Sequence, residues 1–332
     1  MIKKILVFLF CFPAVIAFSW TAHDTLTYYI LNPYLTEFSY EVEITPYIYS
    51  AFEKGRIYNT SKLRLYDYIG SEDYIPEPDR SIFKPVFYNA PPKDGKIPAW
   101  QILVVYSYEP DLGMDSNLHL TSKQKFTGGS HGWRHMEYRI GPMRFGEGSK
   151  SVLYFTKLSK IAENLDDEYW RLRFMARAIH YFEDLGVPFH NLPAPLDEIL
   201  KVITDFDKYA EKFTLYHFTY EYYVGYRLWN RYPMFVNAIE NATPMKITNL
   251  KRSIEDLMSY SRGKIREVYE EVGNILTTKS NYKTRELSAL FIEEYAQSGK
   301  TKKIDKITSQ ILATVSSYIK GYLEYMGFQL GY

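Results

Sequence analysis

The hydrophobic positions change rhythm about halfway along the chain. From residue 151 onward apolar side chains recur three or four apart, and Val152, Phe155, Leu158, Ile161 and Leu165 form one such stripe, the period of an amphipathic helix. Asp166 and Asp167 precede a second helical run to about Leu185, with Leu172, Met175, Ile179 and Phe182 on one face; aspartates there read as caps. Gly186 and Pro188 end it. The same reading predicts further helices at about 195–211, 213–230, 249–275, 284–297 and 303–327.

The first half is less regular. A short helix over 23–31 stops at Asn32-Pro33. Residues 34 to 100 are rich in Tyr, Pro and Gly, with prolines at 46, 76, 78, 85, 91, 92 and 98, and read as an irregular insertion with a few short extended pieces. The run 101–108, Gln-Ile-Leu-Val-Val-Tyr-Ser-Tyr, fits a buried strand or a helical turn equally. Residues 109 to 150 read as loop. With no internal repeat at a fixed period and no Gly/Ser linker, the pattern predicts one mostly α-helical domain.

Composition narrows the chemistry. One Cys among 332 residues excludes an intrachain disulfide and a Cys-rich zinc or iron–sulfur site. Forty basic against 39 acidic side chains argue against gripping duplex DNA through bulk charge. The 24% charged and 46% hydrophobic shares are those of a soluble globular protein. The 32 tyrosines could line a groove for bases or enter a lipid interface, but the simpler expectation is core and half-buried surface.

The amino terminus has the form of a secretory signal: Lys3 and Lys4, an apolar run over 5–12, Pro13, then small residues. The run is too short to span a bilayer comfortably. Cleavage after Ala17 would leave Phe18 first; cleavage after Ser19 would leave Trp20 first. With the signal placed at 1–19, the domain spans 20–332, lacks Cys and carries a net charge of −1 after losing Lys3 and Lys4. The expected destination is secreted or periplasmic.

Metal chemistry must then rest on His, Asp and Glu. His180 and Asp184 lie four apart on a predicted helix and so share a face. His190 comes just beyond Pro188. His217 and Glu221 repeat the four-residue spacing on the next helix. Imidazole and carboxylate are what zinc accepts without thiolate.

This string, His180-x3-Asp184-x5-His190 with Pro188 two before the last His and His217-x3-Glu221 downstream, resembles the bacterial zinc-dependent phospholipase C family, itself related to the single-strand-specific zinc nucleases of fungi and plants. The resemblance implies a secreted, almost all-helical enzyme with three zinc ions in one cleft. The family's mature chain starts at a Trp whose amino group and carbonyl bind zinc, and Trp20-Thr21-Ala22-His23 stands where that start would fall. The family also needs an Asp after a hydrophobic segment, for which Asp111 is preferred and Asp115 remains open. It needs a His before the main motif, for which His135 is preferred and His131 remains open; His119 reads as a surface or core residue. Carried over, one ion would sit on Asp111, His135, His180 and Asp184. A second would sit on Trp20, His23 and the other oxygen of Asp184, and a third on His190, His217 and Glu221.

The activity so implied is phosphodiester hydrolysis by zinc-activated water, with Asp111 also a candidate base. Glu221, where the nucleases usually carry Asp, and the mature charge favour a phospholipid head group over a nucleic acid. The alternatives are a single-strand nuclease of 3'-nucleotidase type and a non-catalytic secreted zinc-binding protein. A phospholipid or other phosphodiester substrate, peripheral membrane contact, no stable nucleic-acid complex and a monomer are the expected partners and state. The sequence departs from the family in the long 34–100 segment, and no motif is placed after about 230.

Overall fold

The computed structural model describes residues 22–52, 86–87, 92–111, 131–277 and 289–331. Among them the protein is mostly helical. The segment 1–19, Trp20, Asp115, His119 and much of the 34–100 stretch lie outside the described residues, as does the start of the helix expected at 284–297.

The helix α1 (His23–Leu31) is followed by a two-stranded antiparallel pairing, β1 (Glu41–Glu43) with β2 (Lys96–Pro98). Then comes α2 (Ala99–Tyr106), so the apolar run after residue 100 is a helix and not a strand. Part of the stretch read as loop is ordered differently: α3 (His131–His135) leads into a hairpin, β3 (Glu137–Ile140) with β4 (Met143–Gly146). Its strands are too short to show alternation against background. Gly146, at φ +101°, makes the exit turn, where a Cβ would lie 2.0 Å from the Met136 carbonyl oxygen.

The helices α4 (Gly148–Glu163) and α5 (Glu168–Gly186) pack as an antiparallel pair, and α5 also touches α2. Asp167 caps α5 as expected, accepting from the Trp170 amide. It also accepts from Thr45 and Tyr49, which strap the irregular segment to the helix. After α6 (Pro188–Asn191) and α7 (Leu196–Leu200), the long α8 (Phe206–Trp229) replaces the two helices expected over 195–230. The break falls at Asp205, whose side chain caps α8 at Lys208. A helix missed by the sequence pattern, α9 (Pro233–Glu240), comes next. The span expected over 249–275 is split at Lys264, after Gly263, into α10 (Leu250–Gly263) and α11 (Ile265–Thr277). Then come α12 (Ala289–Gln297) and α13 (Lys302–Tyr325). No described helix is long and apolar enough to cross a membrane.

The helix α5 is central. It packs on α2, α4, α6, α10 and α13 and is buried along nearly its whole length. Many tyrosines are core residues, as expected. Their rings fill space while their hydroxyls find buried partners, as with Tyr49 on Asp167 and Tyr106 against Tyr169.

Close packing depends on absent side chains at two places. A Cβ at Gly321 of α13 would lie 1.9 Å from the Met245 carbonyl oxygen, and one at Gly186 would lie 2.2 Å from a Val315 methyl. At Gly321 the obstacle is backbone, and the Met245 amide is itself bonded to Ser317. Gly321→Ala should therefore cost about 3 kcal/mol, at the upper end for overpacking. Thermal denaturation should show a drop of roughly 6 °C; an unchanged melting temperature would mean that the 243–245 segment yields freely.

Candidate metal centre

Five elements and one turn converge on the cluster. His23 is the first residue of α1, His135 the last of α3, and Asp111 lies in the turn after α2. His180 and Asp184 project from α5, His190 from α6, and His217 and Glu221 from α8. All except Asp111 are buried. The Asp111 side chain keeps 9% exposure against 0% for Asp184, which puts it at the solvent edge of the cluster.

Asp184 is the junction. Its Oδ2 is 2.8 Å from His135 Nδ1 and 3.2 Å from His180 Nε2. Its Oδ1 is 3.2 Å from His190 Nδ1 and 3.6 Å from His23 Nε2. Asp111 faces the same rings: Oδ1 is 3.7 Å from His180 Nε2 and 3.8 Å from His135 Nδ1, and Oδ2 is 3.8 Å from His23 Nε2. Farther along, Glu221 Oε1 is 3.1 Å from His190 Nε2 and 2.9 Å from His217 Nε2.

These atoms form three groups that could each hold a metal ion: His23, His180 and Asp184; Asp111, His135 and His180; and His190, His217 and Glu221. Within each group one donor atom per residue lies within 4.8 Å of the others. Eight of the nine expected ligands thus come together. The grouping differs from expectation in that His180 serves both of the first two sets. Of the two histidines the sequence left open, His135 is in the cluster; the His131 side chain lies outside the described residues.

The residues fit a cation chemically. The Glu221 Oε2 atom is buried without a hydrogen-bond partner, and such an atom in a native core calls for an ion or water. Nitrogen and carboxylate oxygen donors with no thiolate suit zinc better than calcium or magnesium. The tautomers agree. His180 Nδ1 donates to the Ser107 carbonyl at 2.8 Å, and a carbonyl can only accept, so Nε2 turns its lone pair to the cluster. His23 Nδ1 pairs with Glu183, whose other oxygen accepts from Thr27 at 2.8 Å. A cation on His23 Nε2 needs a proton on Nδ1, and Glu183 is the acceptor in place.

The charges are mutually dependent. Burial works against the Asp184 carboxylate, yet His180, His135 and His190 together hold it well below the usual carboxylate range. Burial likewise opposes a proton on His190, but Asp184 and Glu221 push it up to about 10. For Glu221 burial is again outweighed, by His217 and His190, and its carboxyl is lowered. His23 is driven well below its ordinary value by burial and by His180. Burial pushes the Glu183 carboxyl well up; a dication on His23 would pull it back down.

Glu183 and the Ser107 carbonyl were not legible as parts of the site. Glu183 gave no signal beyond standing next to Asp184. With zinc as the probe, Glu183→Gln should weaken any cation held at the His23 position by about 10–100-fold, the usual cost of losing such an outer partner. Competition with a zinc chelator reads this directly, and wild-type affinity would remove Glu183 from the site. No family model matches the chain, and no curated protein matches it.

Proposed function

We propose that the protein is an exported zinc-dependent phosphoric diester hydrolase of phospholipase C type. The observation that carries this reading is the meeting of three cation-ready groups around the two oxygens of Asp184. Adjoining groups of this kind suit a substrate that concentrates negative charge on several oxygens, as a phosphodiester does.

His23, Asp111, His135, His180, Asp184, His190, His217 and Glu221 would hold the ions, and the amino end of a mature chain starting at Trp20 would complete the second set. Zinc bound there supplies a Lewis acid that lowers the pKa of water and neutralises phosphate charge. Asp111, the most solvent-accessible carboxylate of the cluster, orients the attacking water and takes its proton on a carboxylate oxygen. The buried imidazoles keep their donor atoms aimed inward through Ser107 and Glu183, so little reorganisation is needed on reaction.

One exposed element close in sequence to His190 supports the phospholipid reading. The helix α7, six residues past His190, exposes Leu196 and Leu200, 54% and 56%, which suits contact with a lipid surface.

The deciding experiment assays the mature secreted protein on phosphatidylcholine vesicles and on single-stranded DNA, with metal analysis and amino-terminal sequencing. A start at Trp20, two to three zinc ions per chain and faster lipid hydrolysis are expected. Faster DNA cleavage would reverse the substrate. Bound zinc without either activity would leave a zinc-binding protein, and a start at Phe18 with fewer than two ions would sink the trinuclear site.

A further inference from the structure

We infer that Glu109, gripped by Arg173 and Arg177, is a positioning residue that sets the cation group of Asp111, His135 and His180. The inference rests on the metal-centre reading above and adds a residue outside the ligand set.

The turn after α2 meets one stripe of α5. Arg173, Arg177, His180 and Asp184 stand at i, i+4, i+7 and i+11, which keeps them on a single face. Three alternate residues of the turn address that stripe. Ser107 offers its carbonyl to His180, Asp111 faces His180 and His135, and Glu109 lies between them in sequence. Glu109 Oε1 accepts from Arg173 Nε at 3.0 Å and from Arg173 Nη2, while Oε2 accepts from Arg177 Nε at 2.5 Å. All three side chains are buried.

Arg173 is itself immobilised. Its guanidinium lies 4.1 Å from the Tyr106 ring centroid and 4.5 Å from that of Trp170, and Nη1 donates to the Tyr169 hydroxyl at 3.2 Å. Burying a carboxylate between two guanidiniums is a poor way to gain stability compared with an apolar patch. What it gives is register, because a forked ion pair has one geometry. A slip of one residue would present Tyr108 or Pro110 to the two arginines. With Glu109 seated, Asp111 two residues on is held 3.7 Å from His180 and 3.8 Å from His135. A metal group tolerates only about half an ångström of error in such a placement.

The test uses the mature chain, zinc as the probe and metal analysis at a free zinc concentration that just saturates the wild type. Glu109→Gln should keep a cooperative thermal transition, weaken one ion by about 10–100-fold and lower the zinc count by one. Adding His217→Ala should remove a further ion, because the groups differ, whereas adding Asp111→Asn should remove none. A Glu109→Gln protein that melts lower yet binds zinc with wild-type affinity overturns the inference, since the residue would then serve the fold only. If Glu109→Gln does not fold, Arg177→Lys keeps the charge and loses the Nε donor. A selective loss of the same ion is expected there, and unchanged affinity overturns the inference. A wild-type chain that binds no zinc overturns the metal-centre reading itself, and this inference with it.

Discussion

Asp184→Asn is expected to lower phosphodiester hydrolysis by at least about 10³-fold and to release more than one zinc ion per chain. The side chain keeps its shape but loses its charge, and one carboxylate oxygen becomes an NH2 group. In the wild type both oxygens are engaged, Oδ2 with His135 and His180 and Oδ1 with His190 and His23. An amide cannot satisfy both sides, because whichever side receives the NH2 meets a donor where a cation or imidazolium belongs. The Lewis acid contributes several kcal/mol to charge stabilisation in such reactions, and each 1.36 kcal/mol is tenfold in rate, which sets the 10³ floor. Zinc content and turnover on phosphatidylcholine are the measurements. Asp197→Asn is the control, because Asp197 is exposed on α7, where it pairs with Arg266. Full zinc content and wild-type turnover in Asp184→Asn would show that the junction is structural.

What the sequence made legible here was local. The pairs His180 with Asp184 and His217 with Glu221 are one helical turn apart, so spacing alone puts each pair on one face. Bringing His23, Asp111 and His135 to those pairs is tertiary, and only the family resemblance supplied it. Glu183, the Ser107 carbonyl and the Arg173–Glu109–Arg177 fork escaped because their partners stand 64 to 160 residues away, beyond any periodicity. The fold shows the same division. The stripe after residue 151 gave real helices, but the breaks at Asp205 and Lys264 and the start of α9 lie inside patterns that read as continuous or blank. The β3–β4 hairpin is four residues a strand, with Glu137 buried and Met143 exposed, so its polarity runs against its burial. The tyrosine excess, at first a candidate for ligand chemistry, is largely a packing choice that lets buried acidic groups such as Asp167 and Asp305 be bonded.

Removing zinc with a chelator is expected to lower the melting temperature by roughly 15 °C, and adding zinc back should restore it. The cluster buries Asp184, Glu183 and Glu221 with five imidazoles, and without a dication its carboxylates depend on those imidazoles for charge. An ion that binds only the folded chain at 1,000 times its Kd adds about 4.1 kcal/mol. Two such ions give about 8 kcal/mol, and a domain of this size moves by roughly 2 °C per kcal/mol. The effect should widen as pH rises from 6.5 toward 10. His190 is pushed up to about 10 by Asp184 and Glu221 against its burial. In the stripped protein its ion pairing is therefore fully present below about 6.5 and fades as pH rises through 10. A bound ion needs that imidazole neutral and displaces its proton, so the zinc-loaded protein does not share the loss. Thermal melts of stripped and reloaded protein at pH 6.5 and pH 8.5 test both points. Magnesium should not substitute, because it takes oxygen donors in octahedral geometry and the cluster offers mainly imidazole nitrogen. A stripped protein that melts with the loaded one at both pH values would show that these side chains are satisfied by one another, with no ion required.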